Sequence, residues 1–116
     1  MSPALRRAFE RELELGRRAR RERRWDEAMR HLERAHVLGQ RHAWPHTVNH
    51  WWMLKVGLRT RDAREIFGQI LRIAVAGIGS LIGRAPVGNT GGANVGILTP
   101  MPIPEDLAAI FRKAGV

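Results

Sequence analysis

Arg24-Trp25-Asp26-Glu27-Ala28-Met29-Arg30-His31-Leu32-Glu33-Arg34-Ala35-His36-Val37-Leu38-Gly39 is the stretch on which the fold turns. Asp26 stands where it can cap a helix or sit in its acidic first turn. Ala28, Leu32 and Ala35 recur at spacings of four and three, the period of an α-helix with one face against a core. Gly39 ends the pattern. From Arg24 to Leu38 the chain reads like the second helix of a tetratricopeptide-type hairpin, and such a helix needs a first one just before it. The preceding residues supply it. Steps of about 100° per residue from Pro3 to Arg23 gather Leu5, Ala8, Phe9, Leu13, Gly16 and Ala19 on one face.

Downstream the helical pattern continues. A third helix is predicted over 45–59, opened by Pro45, a favoured first-turn residue. A fourth is predicted over 62–81, with Asp62 as N-cap and Glu65 three residues on, a capping-box pattern. Its expected buried face is Ile66, Phe67, Ile70, Leu71, Ile73, Ala74 and Ile78. Over 84–103 the character changes to a turn-rich Gly88-Asn89-Thr90-Gly91-Gly92-Ala93-Asn94, followed by Pro100, Pro102 and Pro104. A loop this long in a compact domain is usually functional or disordered. Val95, Ile97, Leu98 and Ile103 suit it to pack on the helices as a lid. A last helix over 104–114 turns Leu107, Ile110 and Phe111 inward.

Short connections make successive helices antiparallel neighbours. The expected fold is therefore all-α, one helical domain over 1–116 with helices at about 3–23, 26–39, 45–59, 62–81 and 104–114. Two antiparallel helical hairpins, tetratricopeptide-like or a four-helix bundle, carry a long Gly/Pro loop and a short C-terminal helix. Two hairpins are too few for a repeat array.

Composition narrows the chemistry. The 116 residues include no cysteine and no tyrosine, so disulfides, thiolate metal sites, iron–sulfur clusters and tyrosyl chemistry are excluded. Any transition metal must use His, Asp or Glu. Met1 to Leu15 is charged and lacks the apolar core of a secretory signal. The longest apolar run, Ile73 to Gly83, is about half a bilayer span. A cytoplasmic location is expected. The net charge is +9, and all basic residues except Lys55 and Lys113 are Arg.

All five histidines, His31, His36, His42, His46 and His50, fall in one 20-residue window. His46 and His50 are one helical turn apart, on a stripe continued by Met53 and Gly57. A helical His-x-x-x-His can present two imidazoles to one metal. Glu33 and His36 share a helix face at i, i+3, a spacing that di-iron carboxylate bundles use twice, with further Glu from other helices, and that occurs here once. Gln40 extends that stripe. Glu12 stands in the apolar face of the first helix, between Phe9, Leu13 and Gly16, where an unpaired carboxylate is costly. Three successive helices thus offer inward ligands: Glu12; Glu33 and His36; His46 and His50. Iron, zinc, manganese or copper would suit them. Gln40 is expected to support the ligands from behind. An open coordination position would permit hydrolytic or oxygen-linked chemistry.

Two other readings compete. Trp25, Trp44, Trp51 and Trp52 could anchor a protein partner, as on a tetratricopeptide-like interaction module. The apolar fourth helix suits homodimerisation. The run Arg17-Arg18-Ala19-Arg20-Arg21-Glu22-Arg23-Arg24 could neutralise phosphates of a nucleic acid. Its charges ring the helix end with no aromatic platform between them, so nucleic-acid binding is disfavoured. The Gly-rich loop lacks the Gly-Lys-Ser/Thr of a phosphate-binding loop and follows no strand. No Ser sits in a nucleophile elbow.

The block Leu32-Glu33-Arg34-Ala35-His36-Val37-Leu38-Gly39-Gln40 has companions in His46, His50-Trp51, Met53-Leu54, Gly68-Gln69 and Pro86-Val87-Gly88-Asn89-Thr90-Gly91-Gly92. Together, from about Phe9 to Leu107, they resemble a family of small bacterial proteins classed as a domain of unknown function. The resemblance implies a compact helical protein and brings no activity, substrate or cofactor. Glu33, His36, Gln40, His46 and His50 all lie within the resembling blocks, whereas the arginine run does not.

Overall fold

Ser2 opens the first helix by accepting a hydrogen bond from the Leu5 amide at 3.2 Å, and Pro3 occupies the first turn, where its missing N–H costs nothing. The structure, a computed structural model, describes residues 1–81, 88–96 and 99–116, with positions 76–81 given by backbone alone. Five helices follow one another: α1 (Pro3–Arg21), α2 (Trp25–Gly39), α3 (Ala43–Thr60), α4 (Ala63–Leu81) and α5 (Glu105–Lys113). No strand occurs among the described residues, and the fold is all-helical.

α1 and α2 form one antiparallel hairpin. Gly16 lies against Ala28 and Leu32, and Gly39 lies against Phe9. A Cβ on Gly16 would stand 2.9 Å from the Leu32 side chain, so the two backbones approach closely only because that position is glycine. α3 and α4 form the second hairpin, with His50 opposite Gln69 and Gly57 opposite Glu65. α2 against α3 joins the hairpins, and α5 folds back onto α1 and α2. Asp62 caps α4 by accepting from the Glu65 amide at 3.1 Å.

Two apolar clusters hold this together. Leu5, Phe9, Ala35, Val37, Leu38 and Leu107 tie α1, α2 and α5. Ala19, Ala28, Leu32, Met53 and Val56 tie α1, α2 and α3. Each buried leucine among them contributes about 1.5–3 kcal/mol.

Among the described residues no α4 side chain joins either cluster, and here the sequence expectation fails. Phe67, Ile70 and Leu71 face outward, and Ala74 is also exposed, while Ile66 and Ile73 are half-buried. Of Ile78 only the backbone is described. Among the described residues the buried side chains of α4 are Gln69 and Arg72. The helix turns its polar stripe inward because the loop that crosses it presents backbone carbonyls needing donors. Of the expected lid anchors, Val95 and Ile103 are half-buried, whereas Ile97 and Leu98 lie outside the described residues. Among the described residues no helix is long and apolar enough to cross a membrane.

Candidate metal centre

His36 comes from the last turn of α2, and His46 and His50 from the first half of α3. The α2–α3 junction is tight, so the two helices bring the three imidazoles together at their crossing. All three are buried, at 3 %, 8 % and 2 % exposure. Their ring centroids are 4.7–4.8 Å apart. The Nε2 of His36 lies 2.9 Å from Nε2 of His46 and 3.1 Å from Nε2 of His50.

The far side of two rings is fixed by acceptors. His36 Nδ1 donates to the Asn89 carbonyl at 2.6 Å. His50 Nδ1 lies 2.6 Å from Gln69 Oε1. The Gln69 amide cannot be turned round, because its Nε2 donates to Glu65 Oε1 at 2.8 Å and to the Gly91 carbonyl at 2.9 Å, both pure acceptors. Gln69 therefore offers an oxygen to His50, and His50 Nδ1 carries the proton. A neutral imidazole has one N–H. His36 and His50 consequently point bare Nε2 lone pairs at each other across 3.1 Å. A proton on His46 Nε2 can serve His36 but leaves the His36–His50 contact without one.

Protonating either ring is opposed by the surroundings. Burial pushes His36 well below its ordinary pKa, with further push from His50 and His46. Burial, then His46, lowers His50 to about 3. The buried Arg72 guanidinium adds to both effects.

The Gly-rich loop lies over this cluster as a lid, with Gly91 on the His36 ring. Gly91 has φ +80°, and a Cβ there would fall 2.5 Å from the His36 ring. Only glycine lets the backbone lie on the imidazole. Asn89 braces the loop from within: its Nδ2 donates to the carbonyls of Gly96 and Thr99 at 2.9 and 2.6 Å, and its Oδ1 accepts from the Gly91 amide at 2.8 Å. Arg72 donates to the carbonyls of Val95 at 2.8 Å and Gly92 at 3.3 Å. Glu65 Oε2 accepts from the Ala93 amide at 3.2 Å.

Of the residues singled out in the sequence, His36, His46 and His50 meet. Glu33 lies at the edge of the lid, where a Cβ on Gly92 would stand 3.6 Å from its Oε1. It is half-buried, and burial, then Glu65, raises its pKa. Gln40 is buried and lines a cleft of about 280 Å³ with Val37, Gly88, Ile103 and Phe111.

Glu12 is not brought to the three histidines. It accepts from Arg34 Nε at 2.9 Å and meets His31 Nδ1 at 2.7 Å. Those two partners point about 140–160° away from His36 around α2. The carboxylate in the apolar face is thus compensated by Arg34 and His31, and it stands apart from the group formed by His36, His46 and His50. His42 is the residue before α3, without a side-chain capping bond.

Gln69, Asn89 and Arg72 had no role in the sequence reading, and Glu65 had only that of the capping-box partner of Asp62. The signal available for three of them was a polar i, i+4, i+7 stripe, Glu65-Gln69-Arg72, on an otherwise apolar helix.

The competing features are also placed. Trp44 and Trp51 are exposed. Trp25 and Trp52 pack against the second apolar cluster. The arginine run is engaged locally. Arg17 and Arg20 lie over the Trp52 ring at 4.7 and 5.4 Å, Arg17 and Arg21 pair with Glu14, and Arg24 pairs with Glu22 and Glu27.

Comparison with known families places the chain. Residues 3–111 match the family described as "Protein of unknown function (DUF3703)", and the protein belongs to it. No curated protein and no solved structure matches the chain.

Proposed function

We propose that this protein binds one transition-metal ion through Nε2 of His36, His46 and His50. The observation that carries the reading is the pair of lone pairs on His36 and His50, held face to face by Asn89 and Gln69. Two acceptors in contact repel, and a buried contact of that kind needs something electron-poor between them. A metal ion supplies it. The nitrogens of the three rings lie within 4.8 Å of one another, close enough to share one ion. Three neutral imidazoles favour zinc or copper over manganese. The Nδ1–H bonds to a backbone carbonyl and a side-chain amide are the outer-shell partners that orient metal-bound histidines. Glu33, half-buried at the lid's edge, is proposed as an additional oxygen ligand that would have to swing toward the three nitrogens. Gln40 stays with the supporting set, one turn beyond His36 on the same stripe.

The test is metal content by inductively coupled plasma mass spectrometry on untagged protein, against a His46→Ala/His50→Ala variant. Near-stoichiometric metal in the parent is expected, lost in a variant whose circular dichroism still reports helix. A parent that holds no metal as purified and takes up no zinc, copper or iron on titration overturns the proposal.

A further inference from the structure

The outer side of the second hairpin is apolar. α4 exposes Phe67, Ile70, Leu71 and Val75 at 73 %, 50 %, 56 % and 39 %. α3, alongside it, exposes Trp51 and Leu58 at 50 % and 55 %. With a whole aromatic side chain worth about 150–250 Å² and an aliphatic one less, these six expose on the order of 600 Å². That is at the top of the roughly 300–600 Å² of the largest patch on a typical monomer. It approaches the ~800 Å² that each partner gives to a standard interface.

We propose that a second copy of this chain covers the face, with α4 packed antiparallel on the partner's α4 across a twofold axis. A closed twofold pairing buries the same patch on both copies and leaves none over. The sequence of the exposed stripe is self-complementary in that direction. With the axis between Ile70 and Leu71, Phe67 meets the partner's Ala74, large against small, and Ile70 meets the partner's Leu71. Charge agrees with the register. The two Arg64 side chains come to rest about 20 Å apart along the axis, beyond the ~8 Å screening length of physiological salt. Each lies toward the C-terminal end of the other α4, where the helix dipole is negative. The stripe is on the opposite side of α4 from Gln69, so the pairing leaves the histidine cluster untouched and does not depend on the metal proposal.

Light scattering and cross-linking test this directly. The parent should run at twice its 13.1 kDa chain mass at micromolar concentration. Phe67→Glu should give the single-chain mass with unchanged helicity and unchanged metal content. The chain has no cysteine, so a single Leu71→Cys should cross-link under diamide, whereas Arg18→Cys on α1 should not. A parent of single-chain mass overturns the proposal, whether or not it binds vesicles of anionic lipid. So does a dimer that Phe67→Glu leaves intact and in which Leu71→Cys cross-links no faster than Arg18→Cys.

Discussion

His50 shows how one residue can set a protein's response to acid. Its pKa is about 6.5 in an unfolded chain and about 3 here, depressed by burial first and by His46 second. His36 is shifted in the same direction. Between those values the unfolded state binds a proton that the folded state refuses. Stability is then full above about pH 6.5 and is lost as pH falls toward 3. Each such group contributes a slope of at most about 1.4 kcal/mol per pH unit. Urea unfolding of the metal-free protein from pH 7.5 to 5, where most carboxylates stay ionised, should show the midpoint falling. His50→Gln should flatten the slope, and a midpoint that does not move would show that these rings titrate normally. The pairing of His46 and His50 was legible in the sequence because His46-x-x-x-His50 needs only helical geometry to place both rings on one face. Glu12 misled because its partners, His31 and Arg34, are 19 and 22 residues away. Only the α1–α2 register brings them together, and spacing along one helix does not encode register between two.

At the level of elements, α1 and α2 could be read directly, since their apolar stripes face the core that their period implies. α4 could not. It carries more apolar residues than any core position uses, and hydrophobicity alone assigns the wrong face. What decides its orientation is the lid's demand for hydrogen-bond donors, met by Gln69 and Arg72. Arg72→Met should expose this dependence. The aliphatic stem stays, while the carbonyls of Gly92 and Val95 lose their donor, a cost of about 1–3 kcal/mol for buried groups left unpaired. Hydrogen exchange measured by mass spectrometry should report faster exchange across 89–96, with α1 and α2 unchanged. Equal protection in the variant would mean that the lid is held without Arg72. The lid's composition marked it as special, but its destination over His36 was not readable, because Asn89 contributes a backbone carbonyl and any residue has one.

For the whole molecule, the metal proposal implies a thermodynamic link between hairpins. The ligands come from α2 and α3, which belong to different hairpins, and their supports come from α4 and the lid. An ion bound to the folded state alone stabilises it by about 2.7 kcal/mol at a hundredfold excess over Kd. For a chain near 100 residues that is a rise in Tm on the order of 10 °C. Thermal scans with and without zinc or copper should show it in the parent and not in His46→Ala/His50→Ala. An equal shift in both would place the ion elsewhere. The lid also has a kinetic meaning. Gly91 rests on the His36 ring, and the segment is fastened at Asn89, Arg72 and Glu65. If release of a guest beneath it requires these fastenings to part, its residence time is counted in openings of the protein rather than in ligand exchanges at the ion. Such a centre would behave as a vault, slow to fill and slow to surrender its contents to a competing chelator, however modest its equilibrium grip.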